Sequence, residues 1–294
     1  DSGVKKVIAY LEKASKKVKG KKIEQVATIS ANNDKKLGKV IGEAFRLVDE
    51  TGIVMMEVNE QPETVVELIE GVQYDQPLKN NHFITNKEKG TAELENPLVL
   101  IVESVIPNVR KIQSVLEHII KTGKSLLIIA DVDPQVVSAL SMNKVKGNIK
   151  VNIIDAPVYG IGKKDTLNDL CAVTGATLIN EDLGDDMDVI SHEHLGSCLK
   201  VVTNHEETIM KVDLSNNKDV EDITNLLETQ IKETKNPNLI VRLEGRLAKL
   251  KAKVATVKIG ANSELELKEK RDRVEDAICA TKAAIKEGIV PGGG

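Results

Sequence analysis

Apolar and polar positions along this chain follow two different periods, and the change from one to the other marks the elements. Val4, Ile8 and Leu11 recur at helical spacing and predict a helix over 4–17. Asp34 precedes Val40, Ile41, Ala44, Phe45 and Val48. An Asx side chain there satisfies the free amides of a first turn, so a second helix opens at Asp34 and Gly52 closes it. Ile53 to Val58 reads as a short strand and Pro62 to Ile69 as a short helix.

From Pro97 to Asn180 short apolar runs take turns with amphipathic stretches. Strands are predicted at 98–102, 126–129, 151–154 and 177–179, with helices at 109–120, 134–141 and 165–173 between them. That alternation argues a parallel or mixed sheet with helical covers, an α/β domain. Cys198 to Thr203 and Thr208 to Val212 read as a hairpin around 204–206. Two long helices follow, one with Val220, Ile223, Leu227 and Ile231, the other with Leu243, Leu247, Leu250 and Val254, joined through Asn236-Pro237-Asn238. Their stripes predict an antiparallel pair lying on the domain. After Ala255 to Ile259 comes a terminal helix, Glu264 to Lys286.

Composition narrows the class. The 294 residues hold one or two domains, and 41 Lys plus Arg against 45 Asp plus Glu leave a net charge of -4. That balance gives no footprint for nucleic acid or an anionic membrane surface. No apolar run approaches the ~20 residues of a membrane-spanning helix. The Asp-Ser-Gly start, without Met, reads as a cut rather than a natural beginning. Cys171, Cys198 and Cys279 are widely spaced with no CxxC pair, so they read as buried thiols in a reducing compartment. With three Tyr, two Phe and no Trp, the core must be aliphatic.

Candidate chemistry concentrates near the end. A charged helix leads to Gly292-Gly293-Gly294, and glycines let backbone amides approach a phosphate or ribose without a Cβ in the way. Asp276, in a helix rich in Lys and Arg, reads by itself as a solvated charge. Tyr159 to Lys164 is glycine-rich and basic but lacks the spacing of a phosphate loop. His192, His194 and Cys198 match no common zinc pattern and lack a fourth partner, so no metal site is expected. No dinucleotide fingerprint follows a strand, which weighs against a Rossmann-like small-molecule enzyme.

Motifs in a fixed order add a resemblance. Arg273 to Ala284 with Gly288 to Gly294, together with Gln25–Asp34, Val66–Asp75, Lys124–Ala130 and Asp155–Gly160, resemble the group I chaperonins, the GroEL family, over about Gly3 to Gly294. Group II chaperonins fit poorly, because no long insertion supplies a built-in lid. The resemblance implies an α/β apical domain, a mixed sheet flanked by helices and a long antiparallel helix pair, inserted into a small α+β intermediate domain. The expected boundaries are an equatorial remnant at 1–12, the intermediate domain at 13–69 and 255–286, the apical domain at 70–254, and the start of an equatorial return segment at 287–294. Gly71 and Gly260 sit where hinges are expected. Most of the equatorial domain is expected to be missing.

The same resemblance implies the site residues. Asp276 would be the catalytic carboxylate of an ATPase that uses ATP and Mg2+, and Gly292 and Gly293 would contact nucleotide. Pro291 stands where many members have a small residue, and the family's Asp-Gly-Thr-Thr-Thr phosphate loop occurs nowhere, so the chain alone is expected to lack ATPase activity. Glu264 would join inter-subunit ion pairs in a homo-oligomeric ring. Leu78, Asn80, His82, Phe83, Gln113, Leu116, Val137, Ser141 and Met142 would line a groove for non-native polypeptides and a co-chaperonin. Localisation would be the bacterial cytoplasm or the matrix of a mitochondrion or related organelle.

Departures from the family pattern weaken that groove. Leu78-Lys-Asn-Asn-His-Phe83 replaces an aromatic-rich loop, and Gln113 and Ser141 replace aliphatics. Each buried Leu is worth about 1.5–3 kcal/mol, so two or three losses matter. The expected function is an ATP-dependent chaperonin subunit; the alternative is a peptide-binding module with little ATP-coupled folding.

Overall fold

The computed structural model describes residues 2–48, 53–59, 61–157, 162–181, 184–185, 187–214 and 217–290. In chain order its elements are α1 (Ser2–Ala14), α2 (Lys21–Ser30), α3 (Lys35–Leu47), β1 (Ile53–Val58), β2 (Val65–Tyr74), β3 (Ala92–Glu95) and β4 (Leu98–Val102). Next come α4 (Gln113–Thr122), β5 (Ser125–Ile129), α5 (Pro134–Val145), β6 (Lys150–Ile154), α6 (Lys163–Thr174), β7 (Leu178–Ile179) and β8 (Gly196–Ser197). The rest are β9 (Lys200–Thr203), β10 (Thr208–Lys211), α7 (Lys218–Glu233), α8 (Pro237–Leu250), β11 (Lys253–Ile259) and α9 (Glu264–Glu287). The chain divides into two compact units, residues 1–69 with 253–294, and residues 70–252. The α/β class expected from the alternation is what the structure shows.

In the first unit β11 runs between β1 and β2, parallel to β1 from Ile53↔Val254 to Val58↔Ile259. Helices α2, α3 and α9 bury Ala27, Ile41, Phe45, Val274 and Ile278 with Val257 and Ile259 of the sheet. Asp34 caps α3 as the pattern required, accepting from Lys36 N (2.9 Å) and Leu37 N (3.1 Å). Helix α2 escaped the pattern reading. It has no side-chain cap and fully buries only Ala27, so its helicity comes from packing against α3 and α9. A Cβ on Gly38 would sit 2.6 Å from Thr28 Cα, so glycine is what lets α3 approach α2.

One expectation here is corrected. Residues 65–69 are strand, not helix, because Val65, Val66 and Ile69 lie in a hydrogen-bonded sheet beside β11, and β-branched residues suit that surface. Gly260 is a close-approach position: an added Cβ would lie 2.1 Å from Gln61 O. Gly71 sits inside β2, in register with Lys211 of β10. The close of the second helix expected at Gly52 falls outside the described residues.

The second unit has two sheets. β2, β10, β9 and β3 form an antiparallel one, with Thr208↔Thr203 joining β10 to β9 as the expected hairpin. β6, β5, β4 and β7 are parallel, and β8 adds an antiparallel pair to β4. Both faces of the parallel sheet are covered, so its strands are continuously apolar rather than alternating. Val99, Ile101, Leu127 and Ile129 face a core closed by α6, α7 and α8. Leu100, Val102, Leu126 and Ile128 face another, closed by α4 and α5. Val254, expected on the second long helix, belongs to β11 instead. The thiols also divide: Cys198 is buried, Cys171 half-buried and Cys279 exposed, so three buried thiols was wrong for Cys279. It faces outward on α9.

Candidate functional site

Sequence chemistry places α4 and α5 on the same face of the parallel sheet. Asn108 accepts from Arg110 N (3.1 Å) and starts a single 3-10 turn, Val109–Ile112, that leads into α4; Gly123 in the left-handed region ends the helix. Asp133 caps α5 by accepting from Gln135 N (2.8 Å), with Pro134 at the first helical position. Val115 and Ile119 of α4, and Val136, Val137 and Leu140 of α5, are the buried sides.

The expected polypeptide contacts split between surface and interior. Phe83 is 0% exposed, Val137 6% and Ser141 2%, so these three side chains support the face from within. Ser141 Oγ donates to Ser138 O at 2.9 Å, which satisfies the hydroxyl inside the helix. Leu78 and Leu116 are half-buried against the same core as Phe83 and Val137, so the structure does bring those four together. Asn80 accepts from His82 N (2.9 Å) and caps the Asn81–Phe83 turn on which α5 packs. His82 and Gln113 are exposed, the latter donating to Glu117 Oε1 at 2.8 Å. Met142 is 52% exposed.

Two outward apolar side chains were missed. Ile120, four residues beyond Leu116, is 58% exposed, and Val145, three beyond Met142, is 59% exposed. The i, i+4 rule would have found Ile120. Val145 was out of reach because α5 continues a turn past the expected end at Ser141.

The phosphate-chemistry residues lie in the other unit. Asp276 is exposed on α9, whose buried side is Val274, Ala277, Ile278, Thr281 and Ala284. Among the described residues no ion pair reaches its carboxylate. Glu264 is the exposed first residue of α9, where a negative charge suits the helix dipole. Gly292 and Gly293 lie outside the described residues. Of the residues expected to meet ATP and Mg2+, Asp276 is therefore the one that is described, and one carboxylate is not a cradle for either. Among the described residues no group of three His, Cys, Asp or Glu could hold a metal ion. His192 and His194 share a surface turn while Cys198 belongs to the core under α6–α8. Part of the glycine-rich stretch 159–164 is outside the described residues. Lys163 is on α6, donating to Asp131 Oδ2 (2.8 Å) and Glu103 O (2.9 Å), so its charge serves the fold.

Residues 105–294, more than half of the chain, match the TCP-1/cpn60 chaperonin family. The chain belongs to that family. Its match takes in α4, α5, α9 and Asp276, so the outward apolar face and the carboxylate both lie in chaperonin sequence. At the level of the family, membership carries a chaperone role, ATPase-type activity, polypeptide substrates and assembly into rings. No helix among the described residues is long and apolar enough to cross a membrane.

Proposed function

We propose that this chain is the polypeptide-handling part of a group I chaperonin, with residues 70–254 as its apical domain, 13–69 and 255–286 as its intermediate domain, and 1–12 and 287–294 as pieces of its equatorial domain. In this reading the parent is an ATP-driven ring that works with a co-chaperonin, in a bacterial cytoplasm or a mitochondrial matrix. The observation that carries the proposal is the outward apolar set Ile120, Met142 and Val145, with the half-buried Leu116, on two helices anchored to one core. Non-native chains expose apolar segments, and such a set binds them without demanding a sequence. Phe83 and Val137 hold the face in shape, and His82 and Gln113 give it a polar edge. Asp276, with no ion pair among the described residues, would position water or metal-bound phosphate once the nucleotide-binding part is present.

A second reading, a peptide-binding module without ATP-coupled folding, draws on the polar Gln113 and on the single described carboxylate for nucleotide. One titration separates the readings from a structural cover. A reduced, permanently unfolded protein and a co-chaperonin loop peptide are titrated into the wild type and into Ile120→Glu/Met142→Glu. Saturable binding of both ligands, lost in the variant, supports the proposal. Binding unchanged in the variant places the contact elsewhere. Binding of polypeptide but not of the loop peptide favours the second reading.

A further inference from the structure

On the side of the parallel sheet away from α4 and α5, a cleft of about 510 Å³ opens where the end of α7 and the start of α8 meet the first turn of α6. That volume lies in the range of small-molecule sites, about 300–1,000 Å³. Its apolar floor is the buried Leu243 with the half-buried Leu239. Its charged walls are Asp165 of α6, Glu233 of α7, and Arg242 and Arg246 of α8.

The two arginines are used differently. Arg246 is committed to the fold: Nε and Nη2 donate to Asp169 at 2.9 and 2.7 Å, and Nη1 lies 3.3 Å from Asp165. Arg242, one turn earlier on the same helix, stands 3.9 Å from Asp165, too far for a hydrogen bond, and its side chain is 45% exposed. Among the described residues nothing else engages Arg242, and nothing engages the carboxylate of Glu233, the last residue of α7.

Those two available charges sit on neighbouring helices and suit opposite ends of one ligand. A guanidinium takes a carboxylate through paired N–H donors. Glu233 stands at the negative end of the α7 dipole, where the carbonyls of the last turn add acceptors for an ammonium. With two positive and two negative side chains in the walls, a simple anion or a simple cation gains no net attraction, whereas a zwitterion meets both signs. Axes of packed helices lie about 8–10 Å apart and an extended residue spans about 3.3–3.6 Å, so two or three residues cross from α7 to α8.

We propose that this cleft binds a short peptide with free ends and an apolar side chain. Its carboxylate pairs with Arg242, its ammonium with Glu233, and its side chain lies on Leu239 and Leu243. Asp165, itself held by Arg246, orients Arg242 for that contact. The site is on the opposite side of the sheet from the α4–α5 face and does not rest on the proposed function.

Titration of the whole chain with trileucine, N-acetyl-trileucine and trileucine amide, followed by ligand-observed NMR, tests it. Saturable binding of the free tripeptide is expected below about 10 mM, weakened at least fivefold by either cap. Arg242→Gln is expected to cost the free tripeptide at least fivefold and the amide less than twofold. Glu233→Gln is expected to cost the free tripeptide as much and the N-acetyl form less than twofold. Both side chains are exposed, so both variants should unfold at the wild-type temperature, which calorimetry checks. A free tripeptide that does not saturate, equal affinity for the capped forms, or variants that bind all three peptides as the wild type does overturns the proposal. Ile120→Glu/Met142→Glu should bind trileucine as the wild type does; a loss there puts the peptide on the α4–α5 face and overturns its placement in this cleft.

Discussion

The parallel sheet is covered on its two sides in different ways. Under α6, α7 and α8 the helices are tied to each other: Arg246 of α8 donates to both oxygens of Asp169 on α6 (2.9 and 2.7 Å), with Asp165 at 3.3 Å. Lys249 sits 5.0 Å over the ring of Tyr74, whose hydroxyl burial holds well above the usual tyrosine range. Under α4 and α5 the described residues show no such ion pair between the helices, which turn Ile120, Met142 and Val145 to solvent. The tied side is not bare of exposed apolar groups, since Leu226 of α7 and Val241 of α8 face water too; what separates the two sides is the ion-pair network that joins the helices of the first.

Cutting the two sides at their anchors gives the largest effects. Phe83→Ala, which empties a fully buried ring site between the 81–83 turn and α5, is expected to cost about 4 kcal/mol in urea unfolding. It should also weaken polypeptide binding by disordering the face. Arg246→Met strands the Asp169 carboxylate, 6% exposed, and is expected to cost about 3 kcal/mol, the low end for severing a buried pair, because Arg246 keeps some water. Binding at the α4–α5 face should survive it below the unfolding midpoint. Equal losses of binding in the two variants would break the contrast.

Surface changes sharpen it. Ile120→Glu/Met142→Glu is expected to shift stability by no more than about 0.5 kcal/mol, since both side chains already face water, while lowering polypeptide affinity tenfold or more. Calorimetry with the unfolded ligand reads the affinity, and denaturation reads the stability. The smallest effect concerns the thiols. Burial pushes Cys171 and Cys198 up to about 12, whereas Cys279, exposed on α9, is raised chiefly by partial burial and then by Glu275. Iodoacetamide at pH 8 should modify Cys279 first, with the other two following only as the core opens; mass spectrometry of peptides checks the order. Fast labelling of Cys171 would mean that the tied side is the looser one.

Much of this was legible in the chain. The apolar runs at 98–102, 126–129 and 151–154 announced strands of a sheet with helical covers, and Asp34 announced a helix start that the structure confirms by its accepted hydrogen bonds. Three features were not legible. Residues 65–69 carry a pattern compatible with a helix and become strand only because β11, almost two hundred residues later, offers an edge. α2 lacks a cap and takes its helicity from its neighbours. Among the site residues, Phe83, Val137 and Ser141 differ from Met142 in burial alone, a property that depends on which side of a helix or turn the sheet lies.

By itself, then, the sequence determined the α/β class, the order of most elements, the charge balance and the motif positions, including Asp276, because each depends on short-range spacing and residue type. The tertiary structure decided which apolar residues look inward, which strand edges are filled and which histidines meet. Those outcomes depend on contacts between segments far apart in the chain, and in the case of His118 and His192 on two rings brought within 4.9 Å across 74 residues of sequence (192 − 118). No local pattern encodes that meeting, since a lone histidine on a helix face has the same spacing signal whether or not a partner arrives.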